Sequence, residues 1–203
     1  MVWANPKPIW ALMIVTVGCM ILVGVSFVLP VFTVENDEGG FDRNQVYYLD
    51  HHTFTNESSD FEKDYDYSST TNPGKDLKAA GEMNRNLRII SLVVILVTTL
   101  LLALSSMGKI SRAVPGSLFL LSIGSVIATI IHMLWAFPNI ILSDLGIGDH
   151  TFVGSQGPYT WGMGSAIYLQ AVTIGILITC LIILTLYLRK EKKNESSSDI
   201  LKD

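Results

Sequence analysis

The sequence predicts an all-α membrane protein, a four-transmembrane-helix bundle, with a small extracellular β-sheet formed by the long first outer loop. Three observations predict it: four long apolar runs, charges gathered between and beyond the runs, and an uneven distribution of Lys and Arg among the connecting segments. Hydrophobic residues make up 49% of the 203-residue chain and charged residues 16%. A soluble domain would spread its charges over a surface, and this chain confines them.

The apolar runs are Ile9 to Phe32, Leu87 to Met107, Ala113 to Phe137 and Gly162 to Leu188. Each is long enough for a hydrocarbon core that takes about 20 helical residues, and backbone polar groups in lipid must be satisfied within the segment, so each is read as a helix. Pro115 falls in the first turn of the third run, where its missing N–H costs little, and Pro30 and Pro138 are expected at or just beyond helix ends. The first run is longer than the h-region of a signal peptide, has only Lys7 before it and lacks an A-x-A-like site, so it is read as a retained helix.

Orientation follows from the basic segments. Lys109 and Arg112 lie in the short loop 108–112, and Arg189, Lys190, Lys192 and Lys193 follow the fourth run. Both segments belong in the cytoplasm. The N-terminus (1–8) and the tail (189–203) are then cytoplasmic, and the loops 33–86 and 138–161 lie outside a multi-pass protein of the plasma membrane. The first of these loops holds twelve acids against five bases.

That loop lacks helical periodicity and carries breakers at Gly39-Gly40 and Asn72-Pro73-Gly74. Between Val46 and Tyr67 it is rich in β-prone side chains, and Asp64-Tyr65-Asp66-Tyr67 alternates with a period of two, which predicts a small, irregular antiparallel sheet over the outer helix ends. Asn56-Glu57-Ser58 is a glycosylation triplet on the outer side. Asp50, His51, His52 and His150 are the candidates for an outer metal site, set against the reading of solvated loop residues; adjacent histidines in a strand point to opposite faces, so only one of the pair joins a given site easily.

Cys19 and Cys180 sit inside apolar runs with no CxxC pair, so both are read as buried packing and no thiol chemistry is expected. On the third helix Ser122, Ser125, Thr129 and His132 share one face, and Gln170 and Thr173 form a shorter polar face on the fourth. This intramembrane seam is expected to look into the bundle, with Gln170 reaching Thr129, Ser125 or His132. Gly124 and Ala128 add a small-xxx-small spacing on the adjacent flank. A seam of this kind is either helix-to-helix glue or part of a solute path. No phosphate-binding glycine loop, nucleophile with its base or nucleic-acid-binding basic patch is present, so neither an enzyme nor a cofactor is expected. The tail beyond Lys193 reads as disordered.

The order of helix, long outer loop, helix, short basic inner loop, helix, shorter outer loop and helix resembles the claudin and peripheral myelin protein superfamily. Asp76-Leu77-Lys78-Ala79-Ala80 before the second helix and Met163-Gly164-Ser165-Ala166-Ile167-Tyr168-Leu169 opening the fourth are similar to the same places in claudins. Leu186-Tyr187-Leu188-Arg189-Lys190 is similar to the end of the last helix in the myelin-protein branch. The W-x-G-L-W-x-x-C pattern of that family's first outer loop has no counterpart between Thr33 and Asn86. The resemblance implies a left-handed four-helix bundle with an outer sheet and a tendency to self-associate. The partners expected are the lipid bilayer and either further copies or other membrane proteins, and the function expected is lateral assembly, adhesion or association with another membrane protein. The alternative is a channel, a transporter or an auxiliary subunit of one.

Overall fold

The computed structural model describes residues 7–38, 41–56, 61–67, 70, 72–111, 114–148 and 151–200. Four long helices are present, α1 (Lys7–Val25), α2 (Gly74–Ser106), α3 (Val114–Asp144) and α4 (Ser165–Ile200). All four are long and apolar enough to cross a membrane. Each packs against its neighbours in sequence, and α1 closes the ring against α4. Large apolar side chains such as Ile14, Leu120, Ile131 and Ile182 point outward, as they do where the solvent is lipid.

Three of the helices are longer than their apolar runs, and the reason differs at each end, whereas α1 ends at Val25, short of the Phe32 where its run ends, and Phe32 itself opens a strand. Helix α2 begins at Gly74, well ahead of Leu87, because Leu77, Ala80, Gly81, Asn84, Arg88, Ser91 and Ile95 form one buried stripe at helical spacing. Two members of that stripe are strongly polar, so hydropathy conceals it. The Asn72-Pro73-Gly74 segment therefore starts a helix. Helix α3 runs through Pro138 to Asp144, since the apolar Ile141 and Leu142 beyond the proline are buried under the sheet. It ends where Gly146, at φ +71°, supplies the left-handed residue that lets Ile147 N–H reach the Leu142 carbonyl at 2.8 Å. Helix α4 opens at Ser165 and continues past Leu188 to Ile200, where the sequence suggests a disordered tail. Extending an existing helix needs no new nucleus, and Arg, Lys and Glu favour it.

Helix α1 tightens into one 3₁₀ turn at Ser26–Val28. Pro30, four residues beyond Ser26, has no N–H to give the Ser26 carbonyl in an α-helical register. That carbonyl finds another donor, described below.

Six strands form one antiparallel sheet: β1 (Phe32–Glu38), β2 (Phe41–Tyr47), β3 (His51–Asn56), β4 (Phe61–Asp66), β5 (Gly154–Gln156) and β6 (Tyr159–Met163), in the order β4-β3-β2-β1-β6-β5. The sequence predicts a sheet in the first long loop alone. In the structure β5 and β6, from the loop between α3 and α4, join it through β1, with Val34 opposite Trp161. These strands are too short for alternation to reveal, and their turn depends on Gly157 at φ +60°. Gly39 and Gly40 lie outside the described residues.

The sheet caps one end of the bundle. Phe32, Val34, Tyr47 and Trp161 on its inner face pack against Leu77 and Ala80 of α2, Met133, Phe137 and Ile141 of α3, and Ala166 of α4. A second core, further from the sheet, joins Ile9, Leu12, Cys19 and Val23 to Ile95, Leu102, Phe119, Leu177, Cys180 and Leu184. Both cysteines are free and buried there.

Candidate functional site

The polar interior of the bundle is organised around Arg88. Its side chain is wholly buried, one helical turn beyond Asn84 on the inward stripe of α2. Nε donates to Asn84 Oδ1 at 2.8 Å, Nη1 donates to the Ser26 carbonyl and lies 3.2 Å from Ser26 Oγ, and Nη2 lies 3.0 Å from Met133 Sδ. The guanidinium carbon sits 5.7 Å from the centre of the Phe27 ring. One cation thus joins the 3₁₀ turn after α1 to α2 and α3. Among the described residues no carboxylate pairs with it. Its charge is met by a carbonyl, an amide oxygen, a thioether and an aromatic face.

Two arms extend from this hub. Asn84 Nδ2 donates to the Thr129 carbonyl at 3.1 Å and lies 3.4 Å from His132 Nδ1, which requires that nitrogen to act as the acceptor. On the other side Gln170 Nε2 donates to Ser26 Oγ at 3.2 Å, and Ser26 Oγ donates to the Val23 carbonyl at 2.7 Å. Hub and arms together connect all four helices. A deeper layer repeats the pattern more weakly, with Thr99 bonded to Thr16 at 2.8 Å and Thr98 to Ser122 at 3.0 Å.

Of the seam residues singled out in the sequence, Ser122, Thr129, Gln170 and Thr173 are buried, and Ser125 and His132 are half-buried. The side-chain partners expected for Gln170 are not the observed ones. Gln170 meets Ser26, not Thr129, Ser125 or His132, and the Thr129 hydroxyl turns back to the Ser125 carbonyl at 3.1 Å. Thr173 likewise bonds Leu169 of its own helix. Arg88, Asn84 and Ser26 are not among the residues that polarity along the sequence points to. The signal was available as the spacing 77, 81, 84, 88, 91, 95, which carries the helical period through the polar residues.

A double-mutant cycle checks this assignment. Ser26→Ala with Gln170→Leu is expected to show a coupling of about 0.6 kcal/mol and at most about 2 in detergent unfolding, whereas Thr129→Val with Gln170→Leu should be additive. Coupling in the second pair and none in the first would assign Gln170 to α3.

The two sheet histidines, His51 and His52, are held in separate settings. His51 Nδ1 lies 2.7 Å from Asp50 Oδ1, its ring stacked on Tyr48 at 4.5 Å, and Arg85 reaches the other oxygen of Asp50 at 3.8 Å. His52 turns to the opposite face and stacks between Tyr47 at 5.3 Å and Tyr65 at 5.2 Å. Burial, with His51 second, holds the His52 imidazole below its ordinary range, and burial pushes the Tyr47 and Tyr67 phenols up. Among the described residues no group of three or more His, Cys, Asp and Glu gathers as metal ligands. His150 lies outside the described residues. Asn56 ends β3, and the Glu57-Ser58 that completes its triplet also lies outside them.

Gly124 and Ala128 face outward, and a Cβ built on Gly124 meets nothing within 4 Å. The small-residue flank is therefore left open within the chain. No family model matches this sequence, and no curated protein matches it.

Proposed function

We propose that the chain is a non-enzymatic membrane protein acting by lateral assembly, adhesion or association with other membrane proteins, as its likeness to the claudin and peripheral myelin protein superfamily implies. In this reading it spans the plasma membrane with both termini cytoplasmic and the sheet outside. The observation that carries the reading is the closed interior. Its polar groups bond chiefly to helix carbonyls, with a few bonds to one another, and a buried Arg88 between helices opposes the passage of cations. The working surfaces are then the exterior ones: the sheet and the lipid-facing helix flanks.

The open flank of α3 supplies the first test. Gly124→Leu with Ala128→Leu adds bulk where a neighbouring backbone would approach, while touching nothing inside the bundle. Unfolding stability in detergent is expected to change by less than about 0.5 kcal/mol, while energy transfer between differently labelled copies in liposomes falls several-fold. Unchanged transfer would remove α3 as the association face. Ion or solute flux through liposomes holding the purified wild type would favour the channel reading instead.

A further inference from the structure

Two clefts lie end to end on the α2–α3 seam and share Asp76, Asn139 and Ile140. The one nearer the membrane centre, about 330 Å³, is lined chiefly by Ala79, Ala80, His132, Trp135, Ala136 and Ile140. The one above it, about 410 Å³, is lined by Asn72, Asp76, Asn139, Ser143 and Asp144 beside Pro73 and Ile140. The lower cleft is apolar and sits at the end of the third apolar run, where Trp135, 69% exposed, occupies the level at which aromatic side chains anchor to a bilayer. The upper cleft begins where that run stops. Its polarity therefore changes from hydrocarbon to polar along the membrane normal, in the order in which a lipid changes.

The charge of the upper cleft has one sign. Asp76 and Asp144 face it from different helices, among the described residues no lysine or arginine lines either cleft, and neither carboxylate is in a described ion pair. Asp144 also closes α3, where the helix dipole is negative and favours a cation. Asp76 belongs to the first turn of α2 and is partly balanced by that helix end, so the outward-facing excess is greatest on the Asp144 side. Amide and hydroxyl groups from Asn72, Asn139 and Ser143 surround the pair.

We propose that this composite cleft binds a phospholipid with an ammonium headgroup, choline or ethanolamine, from the leaflet on the sheet side. The ammonium lies between Asp76 and Asp144, and the first part of one acyl chain runs down past Ala79, Ala80, Trp135 and Ala136. The charge selects the headgroup, and the apolar lower cleft selects an amphiphile over a free amine.

The test uses the full chain in nanodiscs doped with phosphatidylcholine or phosphatidylglycerol, each bearing a photoactivatable acyl chain, with labelled peptides identified by mass spectrometry. Wild type is expected to take several-fold more choline probe than glycerol probe on peptides 79–80 and 132–140. Asp76→Asn with Asp144→Asn, which keeps side-chain shape at exposed positions, should abolish the preference while thermal unfolding stays unchanged. Labelling there that is equal for both probes, or a preference that survives the double substitution, would overturn the proposal. Competition by soluble choline as effective as that of the lipid would assign the upper cleft to a free amine and overturn it too.

Discussion

Arg88→Ala is expected to lower the unfolding free energy of the detergent-solubilised bundle by about 3–5 kcal/mol. The substitution empties a fully buried site and removes the donor from Asn84 Oδ1, the Ser26 carbonyl and Met133 Sδ together. Arg88→Met restores most of the volume and also removes a buried cation whose desolvation opposes folding. It still leaves the Asn84 oxygen without its donor, so it should recover only part of the loss. Adding Asn84→Leu to Arg88→Met removes that orphaned acceptor, and the double variant is expected to be more stable than Arg88→Met alone. The Thr129 carbonyl bonded to Asn84 belongs to a helix and keeps its own helical partner, so it adds no new penalty. Unfolding by denaturing detergent or heat reads all three. Arg88→Ala indistinguishable from wild type, or a double variant no better than Arg88→Met, would show that the hub does not hold the bundle.

The hub also shows what a hydropathy reading recovers and what it passes over. The four helices, the two buried cysteines and the inward polar face of α3 follow from apolar length and from a period of 3.6, and those signals are strong in this chain. The extension of α2 down to Gly74 was written in the same period. It was obscured because Asn84 and Arg88 occupy buried positions, and beyond the bond between them their cost in lipid is offset by partners on other segments: Ser26, Thr129 and Met133. Those partners are 45 to 62 residues away in the chain, so no local pattern announces them. The sheet divides in the same way. The β-prone residues of the first loop were legible between Val46 and Tyr67, whereas β1 is mostly polar and β6 gains its place by pairing with β1 from far along the chain. Pro30, read in the sequence as lying at or just beyond a helix end, follows the 3₁₀ turn that ends at Val28 and carries a second meaning. By denying an N–H to Ser26 it frees the carbonyl that Arg88 takes.

Gly81→Ala and Gly164→Ala are each expected to cost about 3 kcal/mol, near the upper end of what overpacking does, because the new Cβ collides with backbone. At Gly81 it would overlap the Leu49 carbonyl oxygen and lie 2.8 Å from the Leu49 carbonyl carbon, where α2 crosses the turn between β2 and β3. At Gly164 it would overlap Pro30 and lie 2.7 Å from the Val31 carbonyl carbon. That second contact joins the bundle to the sheet, since Gly164 N–H donates to the Val31 carbonyl and Ala166 N–H to the Pro30 carbonyl, both at 3.0 Å. A side chain can turn away from an intruding methyl group; a peptide carbonyl beside a paired strand cannot move without shifting that strand. Gly24→Ala and Gly175→Ala are the controls, because a Cβ at either position meets nothing within 4 Å. They should be neutral or more stable by up to about 1 kcal/mol, the ordinary helix preference for Ala over Gly. Amide exchange separates the two kinds of damage. Loss at Gly81 or Gly164 should speed exchange in the strands first and leave the helices below Arg88 protected, because it detaches the sheet from a bundle with its own core. Equal acceleration in strands and helices would mean that sheet and bundle fold as one unit, and unchanged exchange in both would show that the close approaches at Leu49 and Pro30 are not needed to seat the sheet.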